Sequence, residues 1–108
     1  MNCPTFFYAQ LGNDLCSKPI LKDLTDRNVN VDHVHLLDNI STGQAFVTVQ
    51  KDGANSIVIV GGANTHWNEQ ALKPELNKLL DEANCVILQR EIPDSVNILV
   101  ANMAHAKS

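Results

Sequence analysis

The sequence lacks a long hydrophobic run and any excess of basic charge. Its longest apolar stretch, residues 57–63, is far shorter than the ~20 residues that a helix needs to span a bilayer, so we expect no membrane partner. The net charge is -4, and the eight basic residues are scattered singly along the chain. This pattern excludes the clustered positive surface that binds nucleic-acid phosphates, so we expect no nucleic-acid partner either.

Signals for disulfides and metals are also missing. Cys3, Cys16 and Cys85 form an odd set without CxxC spacing, which is typical of free thiols in a reducing compartment, and packing is their simplest role. His33 and His35 share a strand face, but no cysteine or carboxylate completes a ligand set on that face. We therefore expect no bound metal.

What is present is an ordinary globular composition of 108 residues, with 44% hydrophobic and 19% charged residues. One ordered domain at most is expected at this size. Apolar residues between Leu15 and Leu24 predict a first helix, with Pro19 in its first turn. Residues 31–37 then predict a strand.

A β-hairpin is predicted next. The segments 45–50 and 56–60 are rich in β-forming residues, and the Asp52-Gly53 step between them supplies the positive φ of a tight turn. If the hairpin packs on the main sheet, its apolar residues are core. If it stands apart, its apolar face must cover a ligand or a second subunit. The pattern leaves both alternatives open.

The remaining chain predicts helix, strand and helix. Leucines at helical spacing predict a helix ending near Ala83, with Pro74 as a break near its start. The run Cys85–Leu88 is typical of a strand buried on both faces, and Pro93 fits the first turn of a last helix. Glu91 therefore follows a predicted strand, where α/β sheets bind their ligands, although a solvated surface charge is the alternative.

Gly61 and Gly62 lie between a strand and a helix, as in phosphate-binding loops. The spacing of GxGxxG and of GxxxxGK[ST] is absent, which favours a plain turn.

Four segments resemble the PfkB carbohydrate-kinase family, and its plant-type ribokinase-like members most. They are 10–14 (QLGND), 42–45 (TGQA) with 52–64 (DGANSIVIVGGAN), and 88–93 (LQREIP). The resemblance covers about residues 9–107 and implies an α/β fold: a partial Rossmann-like sheet with helices plus a small β-hairpin lid. It implies one incomplete domain over residues 1–108, with the lid at about 42–62.

The resemblance also implies site residues and partners. Glu91 would contact the sugar from the sheet rim, and Ala45, Val47 and Ile59 would face it from the lid. Full-length members phosphorylate ribose or a related sugar with Mg-ATP, and their lids pair between subunits, which implies a homodimer through the hairpin.

The nucleotide site, the anion hole and the catalytic base of the family are not found among these residues. We therefore expect the chain alone to bind no Mg-ATP, to contain no catalytic residue and to be inactive. A non-catalytic sugar-binding or dimerisation module is the alternative, and a segment that does not fold alone is a third. The first eight residues do not resemble a signal peptide, so the cytoplasm is the default location, with the plastid as an alternative for a full-length plant relative.

Overall fold

The computed structural model describes residues 3–108, which contain six strands and three α-helices. In chain order they are β1 (Thr5–Phe6), β2 (Ala9–Gly12), α1 (Ser17–Asp26), β3 (Val29–Asn30), β4 (Val34–Leu37), β5 (Gln44–Val49), β6 (Asn55–Val60), α2 (Glu69–Glu82) and α3 (Asp94–His105). A 3₁₀ turn, Gly62–Thr65, precedes α2. Within the described part of the chain, no helix is long and apolar enough to cross a bilayer. The chain divides into two compact units, Met1–Asn64 and Thr65–Ser108.

The first unit contains two short parallel strand pairs. β1 pairs with β3, and β2 pairs with β4 in a register that runs from Ala9 opposite Val34 to Gly12 opposite Leu37. Helix α1 lies in the chain between the two strands of each pair, and a helical crossover of this kind is the usual connection between parallel strands. Pro19 is the third residue of α1, so the prediction of a proline in the first turn is confirmed.

The same unit contains the predicted hairpin. Strands β5 and β6 pair antiparallel in a two-stranded sheet, and neither pairs with another strand among residues 3–108. Gly53 in the turn has a φ of 87°, as the Asp-Gly step predicts. The hairpin therefore extends from the unit without joining the β2–β4 pair.

The second unit is helical. The Asn68 side chain caps α2 by accepting hydrogen bonds from the backbone N–H groups of Gln70 and Ala71. The predicted stripe on α2 is confirmed, because four of its leucines are buried: Leu72, Leu76, Leu79 and Leu80. Pro74 lies inside α2 without ending it, so the predicted break is wrong. Helix α3 packs on α2, and an ion pair between Lys107 and Asp81 joins the two ends.

The strand predicted at Cys85–Leu88 is wrong for this chain. Residues 83–93 form no strand and connect α2 to α3. Val86 is 40% exposed, Ile87 92% and Leu88 44%. A strand needs a neighbouring backbone for its hydrogen bonds, and no strand of the described chain pairs with this segment. The run is apolar, as the pattern showed, but it is uncovered.

Candidate functional site

The hairpin places the predicted lid residues on one face. In the β5–β6 register, Ala45 lies opposite Ile59, and Val47 lies opposite Ile57. Directly opposed residues of an antiparallel pair point to the same side of the sheet. Ala45, Val47 and Ile59 therefore share a face, which we term the first face of the hairpin.

The opposite face carries apolar side chains too, among polar ones. Phe46 lies opposite Val58, and Gln44 lies opposite Val60. We term this the second face. Exposed fractions are 64% for Ile59 on the first face and 63% for Val58 on the second. A two-stranded hairpin is marginally stable by itself, and apolar side chains on both of its faces call for two covering surfaces.

The base of the hairpin is held by Asp14 and Thr42, a pair that we term the base clamp. The Asp14 carboxylate accepts hydrogen bonds from the backbone N–H of Thr42 at 2.7 Å and from its hydroxyl at 2.8 Å. It also accepts the backbone N–H groups of Cys16 and Ser17, at the start of α1. The Thr42 hydroxyl in turn accepts the backbone N–H of Gly12 at 3.0 Å. One carboxylate thus joins the end of β2, the start of α1 and the segment that enters β5.

Glycines let the backbone of residues 40–43 pass close to its neighbours at this base. A Cβ on Gly12 would lie 2.4 Å from the Ile40 carbonyl oxygen and 2.4 Å from the Thr42 nitrogen. A Cβ on Gly62 would lie 2.3 Å from the Ser41 carbonyl oxygen, and this residue has a φ of 50°. The Gly61-Gly62 step is thus a tight turn packed on the hairpin base, as the absent motif spacing predicted.

The hydrogen bonds of the base clamp lower the pKa of Asp14. The backbone N–H and the hydroxyl of Thr42 are the main causes, burial opposes them, and the N–H groups of Ser17 and Cys16 add to the lowering. A carboxyl whose pKa is depressed by folding contributes stability above its unfolded pKa and loses it as the pH falls through the folded pKa. The clamp is therefore formed at neutral pH and weakens in acid.

Glu91 lies in the second unit, in the loop before α3, and it is exposed. The backbone on either side is anchored. Its own N–H donates to the Gln89 side-chain oxygen, and the guanidinium of Arg90 contacts the Asp94 carboxylate at 3.2 Å. The Asn97 side chain on α3 donates to the Gln89 carbonyl at 2.7 Å. The backbone of this loop is thus fixed to α3, and the exposed side chain of Glu91 extends from it.

An open groove of about 310 Å³ lies beside this loop. Its lining residues are Leu88, Gln89, Arg90, Asp94, Asn97 and Ile98, and they do not include Glu91. Asn97 Oδ1 is buried and has no hydrogen-bond partner among the described residues. The polar lining residues anchor the loop to α3, and we find no arrangement for binding a ligand among them.

The remaining polar candidates show no reactive arrangement. The rings of His33 and His35 meet those of Phe6 and Tyr8 edge to face, with centroids 5.9 Å and 5.5 Å apart. Residues 3–108 contain no group of three histidine, cysteine or acidic side chains placed to hold a metal. Three free cysteines are exposed, so the packing role expected for them is wrong: Cys3, Cys16 and Cys85.

Sequence comparison gives the chain its family. All of residues 1–108 match the family described as "pfkB family carbohydrate kinase". The chain belongs to this family. It is 44% identical over 100 residues to a protein of Arabidopsis thaliana named ribokinase, an alignment that covers 91% of this chain and 26% of that protein. A ribokinase of Dictyostelium discoideum is 30% identical, with 92% and 30% covered. This pfkB-family chain thus spans about a third or less of these relatives.

Solved structures place the fold within the same family. The structure titled as Arabidopsis thaliana ribokinase complexed with ribose and ATP matches with a TM-score of 0.87 and 44% identity, over 96% of this chain and 34% of that one. Ribokinase from Giardia lamblia matches with a TM-score of 0.82 and 27% identity, over 96% and 34%. The predicted mixed α/β, ribokinase-like fold is confirmed.

Sequence reasoning missed the base clamp. Asp14 and Thr42 both lie in segments that carry the pfkB resemblance, yet nothing in their spacing shows that they meet across 28 positions. The available signal was that both residues lie in family-like segments that contain a glycine, Gly12 in one and Gly43 in the other. The roles of Glu91, Ala45, Val47 and Ile59 toward a sugar stay predictions.

Proposed function

We propose that this chain is the lid-bearing part of a carbohydrate kinase that transfers the γ-phosphoryl group of ATP to a hydroxyl of ribose or a related sugar. The observation that carries the proposal is a hairpin with exposed apolar side chains on both faces, separate from the parallel strands, in a pfkB-family chain. Support for the sugar comes from a relative 44% identical, which is named ribokinase and was solved with ribose and ATP.

The proposed roles follow from chemistry. Ala45, Val47 and Ile59 offer an apolar surface that can cover a sugar ring and exclude water, which protects a phosphoryl donor from hydrolysis and strengthens nearby electrostatic interactions. Glu91 offers an exposed carboxylate that can accept hydrogen bonds from sugar hydroxyls. We propose that each of these residues contacts the substrate.

Magnesium and ATP are proposed for the whole kinase and not for this chain. The described residues provide no cluster of metal-binding side chains. The Gly61-Gly62 turn offers no phosphate cradle, because the space beside Gly62 is filled by the Ser41 carbonyl. We therefore propose no catalytic step for these residues and no turnover by the chain alone.

The two units are proposed to form one incomplete ribokinase-like domain, because a single family match spans both. The exposed apolar run Cys85–Leu88 supports this proposal, since it has the composition of a strand that a complete sheet would bury. We propose the cytoplasm as the default location, with the plastid as the alternative for a full-length plant relative.

An activity assay with a chimera tests this function. We expect the purified chain to release no ADP from Mg-ATP in the presence of ribose. A chimera of Arabidopsis ribokinase, with its matching segment replaced by residues 9–107 of this chain, should release ADP in a ribose-dependent manner. ADP production by the chain alone, or a folded chimera that binds ATP without ribose-dependent turnover, would contradict the proposal.

The second candidate function is a non-catalytic module that binds sugar or dimerises through the hairpin, and one observation favours dimerisation. That observation is the set of exposed apolar side chains on the second face, Phe46, Val58 and Val60, since one sugar can cover only one face of the hairpin. We propose that a second copy of the chain covers the second face. Apolar surface left exposed on a hairpin is a frequent site of association.

Sedimentation of two variants tests this dimer. The variants change neighbouring residues whose side chains lie on opposite faces of the hairpin. Val58→Asp places a charge on the second face and should give a monomer where the unmodified chain is a dimer. Ile59→Asp places the same charge on the first face and should leave the dimer intact. A monomeric unmodified chain at all concentrations, or equal effects of the two changes, would contradict dimerisation by the second face.

A further inference from the structure

We propose that Asp14 and Thr42 are positioning residues that fix the orientation of the hairpin on the first unit. The hairpin has its own ladder and no strand pairing with β2 or β4, so its orientation depends on contacts at its base. The base clamp supplies these contacts from side chains, and Thr42 is only 3% exposed. That this orientation affects substrate binding rests on the proposed lid function. The hydrogen bonds of the base clamp do not depend on that function.

The pattern of donors and acceptors requires the two residues to act together. The Thr42 hydroxyl has one proton, whose nearest acceptor is the Asp14 carboxylate at 2.8 Å, ahead of the Gly12 carbonyl at 3.4 Å; its oxygen accepts from the Gly12 N–H. Asp14 therefore sets the direction of the hydroxyl, and the hydroxyl satisfies a buried backbone group at the end of β2. Loss of the Thr42 hydroxyl leaves the Gly12 N–H without its acceptor, and loss of the Asp14 carboxylate removes the acceptor of both the Thr42 hydroxyl and the Thr42 N–H.

The clamp also links the hairpin to a helix. The carboxylate that holds Thr42 accepts two N–H groups at the start of α1, and the Ser17 hydroxyl donates to the Asp14 carbonyl at 2.8 Å. Ser17 is 2% exposed. On the opposite side, the Ala63 N–H donates to the Ser41 carbonyl at 2.8 Å. The segment that enters β5 is thus held between α1 and the turn that follows β6.

Amide hydrogen exchange on the 108-residue chain tests the clamp. Thr42→Val keeps the shape of the side chain and removes the hydroxyl that accepts the Gly12 N–H, so the Gly12 amide should exchange at least about tenfold faster. Thr42→Ser keeps the hydroxyl and should restore slow exchange. Thr48→Val is the matched control: it removes an exposed hydroxyl within the hairpin, which donates to the Ser56 carbonyl, and should leave the Gly12 amide unchanged.

Orientation is measured separately by residual dipolar couplings. With Thr42→Val, the couplings of β5 and β6 should no longer fit one common alignment with those of β2 and β4, whereas each strand pair remains internally consistent. Couplings that still fit one alignment would overturn the inference. Exchange at Gly12 as slow as in the unmodified chain would also overturn it.

The unmodified chain provides a test that needs no variant to fold. The amide resonances of Cys16, Ser17 and Thr42 should shift with pH at one common midpoint, because all three N–H groups donate to the same carboxylate. Different midpoints, or a Thr42 amide insensitive to pH, would overturn the clamp. A failure of ribose turnover in the chimera together with a common midpoint would reject the proposed function and leave the clamp standing.

Discussion

Glu91→Gln in the ribokinase chimera is expected to lower kcat/KM for ribose by about 100-fold. Glutamine keeps the size of the side chain but replaces one acceptor oxygen with an NH₂ donor and removes the charge. A hydrogen bond to a charged group contributes up to about 3 kcal/mol, and 1.36 kcal/mol corresponds to a factor of ten in rate. Steady-state ADP production at varied ribose measures the effect.

The matched control for this prediction is Glu82→Gln. Glu82 is also exposed and is the last residue of α2, outside the loop that carries Glu91. It should leave kcat/KM unchanged within twofold or so, since surface substitutions have small effects. Equal activity of the Glu91 and Glu82 variants would show that the Glu91 carboxylate is a solvated surface charge.

Gly12→Ala is expected to reduce the free energy of unfolding by roughly 3 kcal/mol, the upper end of the range for overpacked sites. The added methyl group would lie 2.4 Å from two backbone atoms of the segment that enters the hairpin, and backbone has little freedom to move aside. Urea unfolding followed by circular dichroism measures the change.

Gly53→Ala provides the comparison for this effect. The turn residue Gly53 has no atom within 4 Å of its added Cβ, but its φ of 87° is unfavourable for alanine. Its expected cost is about 1 kcal/mol from backbone strain alone. If Gly12→Ala costs no more than Gly53→Ala, the close approach at the hairpin base does not constrain the fold.

Local signals predicted most elements of this fold. The Asp-Gly step and its flanking β-formers gave the hairpin because turn chemistry and strand propensity are both encoded within a few residues. The leucine stripe of α2 and Pro93 predicted the two helices for the same reason, although Pro93 is the N-cap of α3 and does not lie in its first turn as expected. These features depend on contacts between residues close together in the chain.

The segment Cys85–Leu88 shows where such reasoning fails. Its composition is that of a buried strand, but strand formation depends on a neighbouring backbone that no local pattern can reveal. The prediction for Pro74 was wrong for the opposite reason: a local signal predicted a break that the structure does not have. The helix continues through it, because the buried leucines on either side stabilise α2 despite the lost backbone hydrogen bond.

Position alone made Glu91 a candidate and left the role of the hairpin open, and the family resemblance gave these residues their expected roles toward a sugar. Glu91, Ala45, Val47 and Ile59 carry no motif by themselves, and the strand register shows only that the three hairpin residues share a face. The base clamp was invisible in the sequence because Asp14 and Thr42 are brought together by the parallel pairing of β2 with β4.

A crystal structure of the chimera with ribose bound tests the central claim most directly. We predict a Glu91 carboxylate oxygen about 2.7 Å from a ribose hydroxyl, with Val47 or Ile59 carbon atoms about 4 Å from the sugar. A ribose molecule that contacts neither the hairpin nor Glu91 would contradict the proposed role of both.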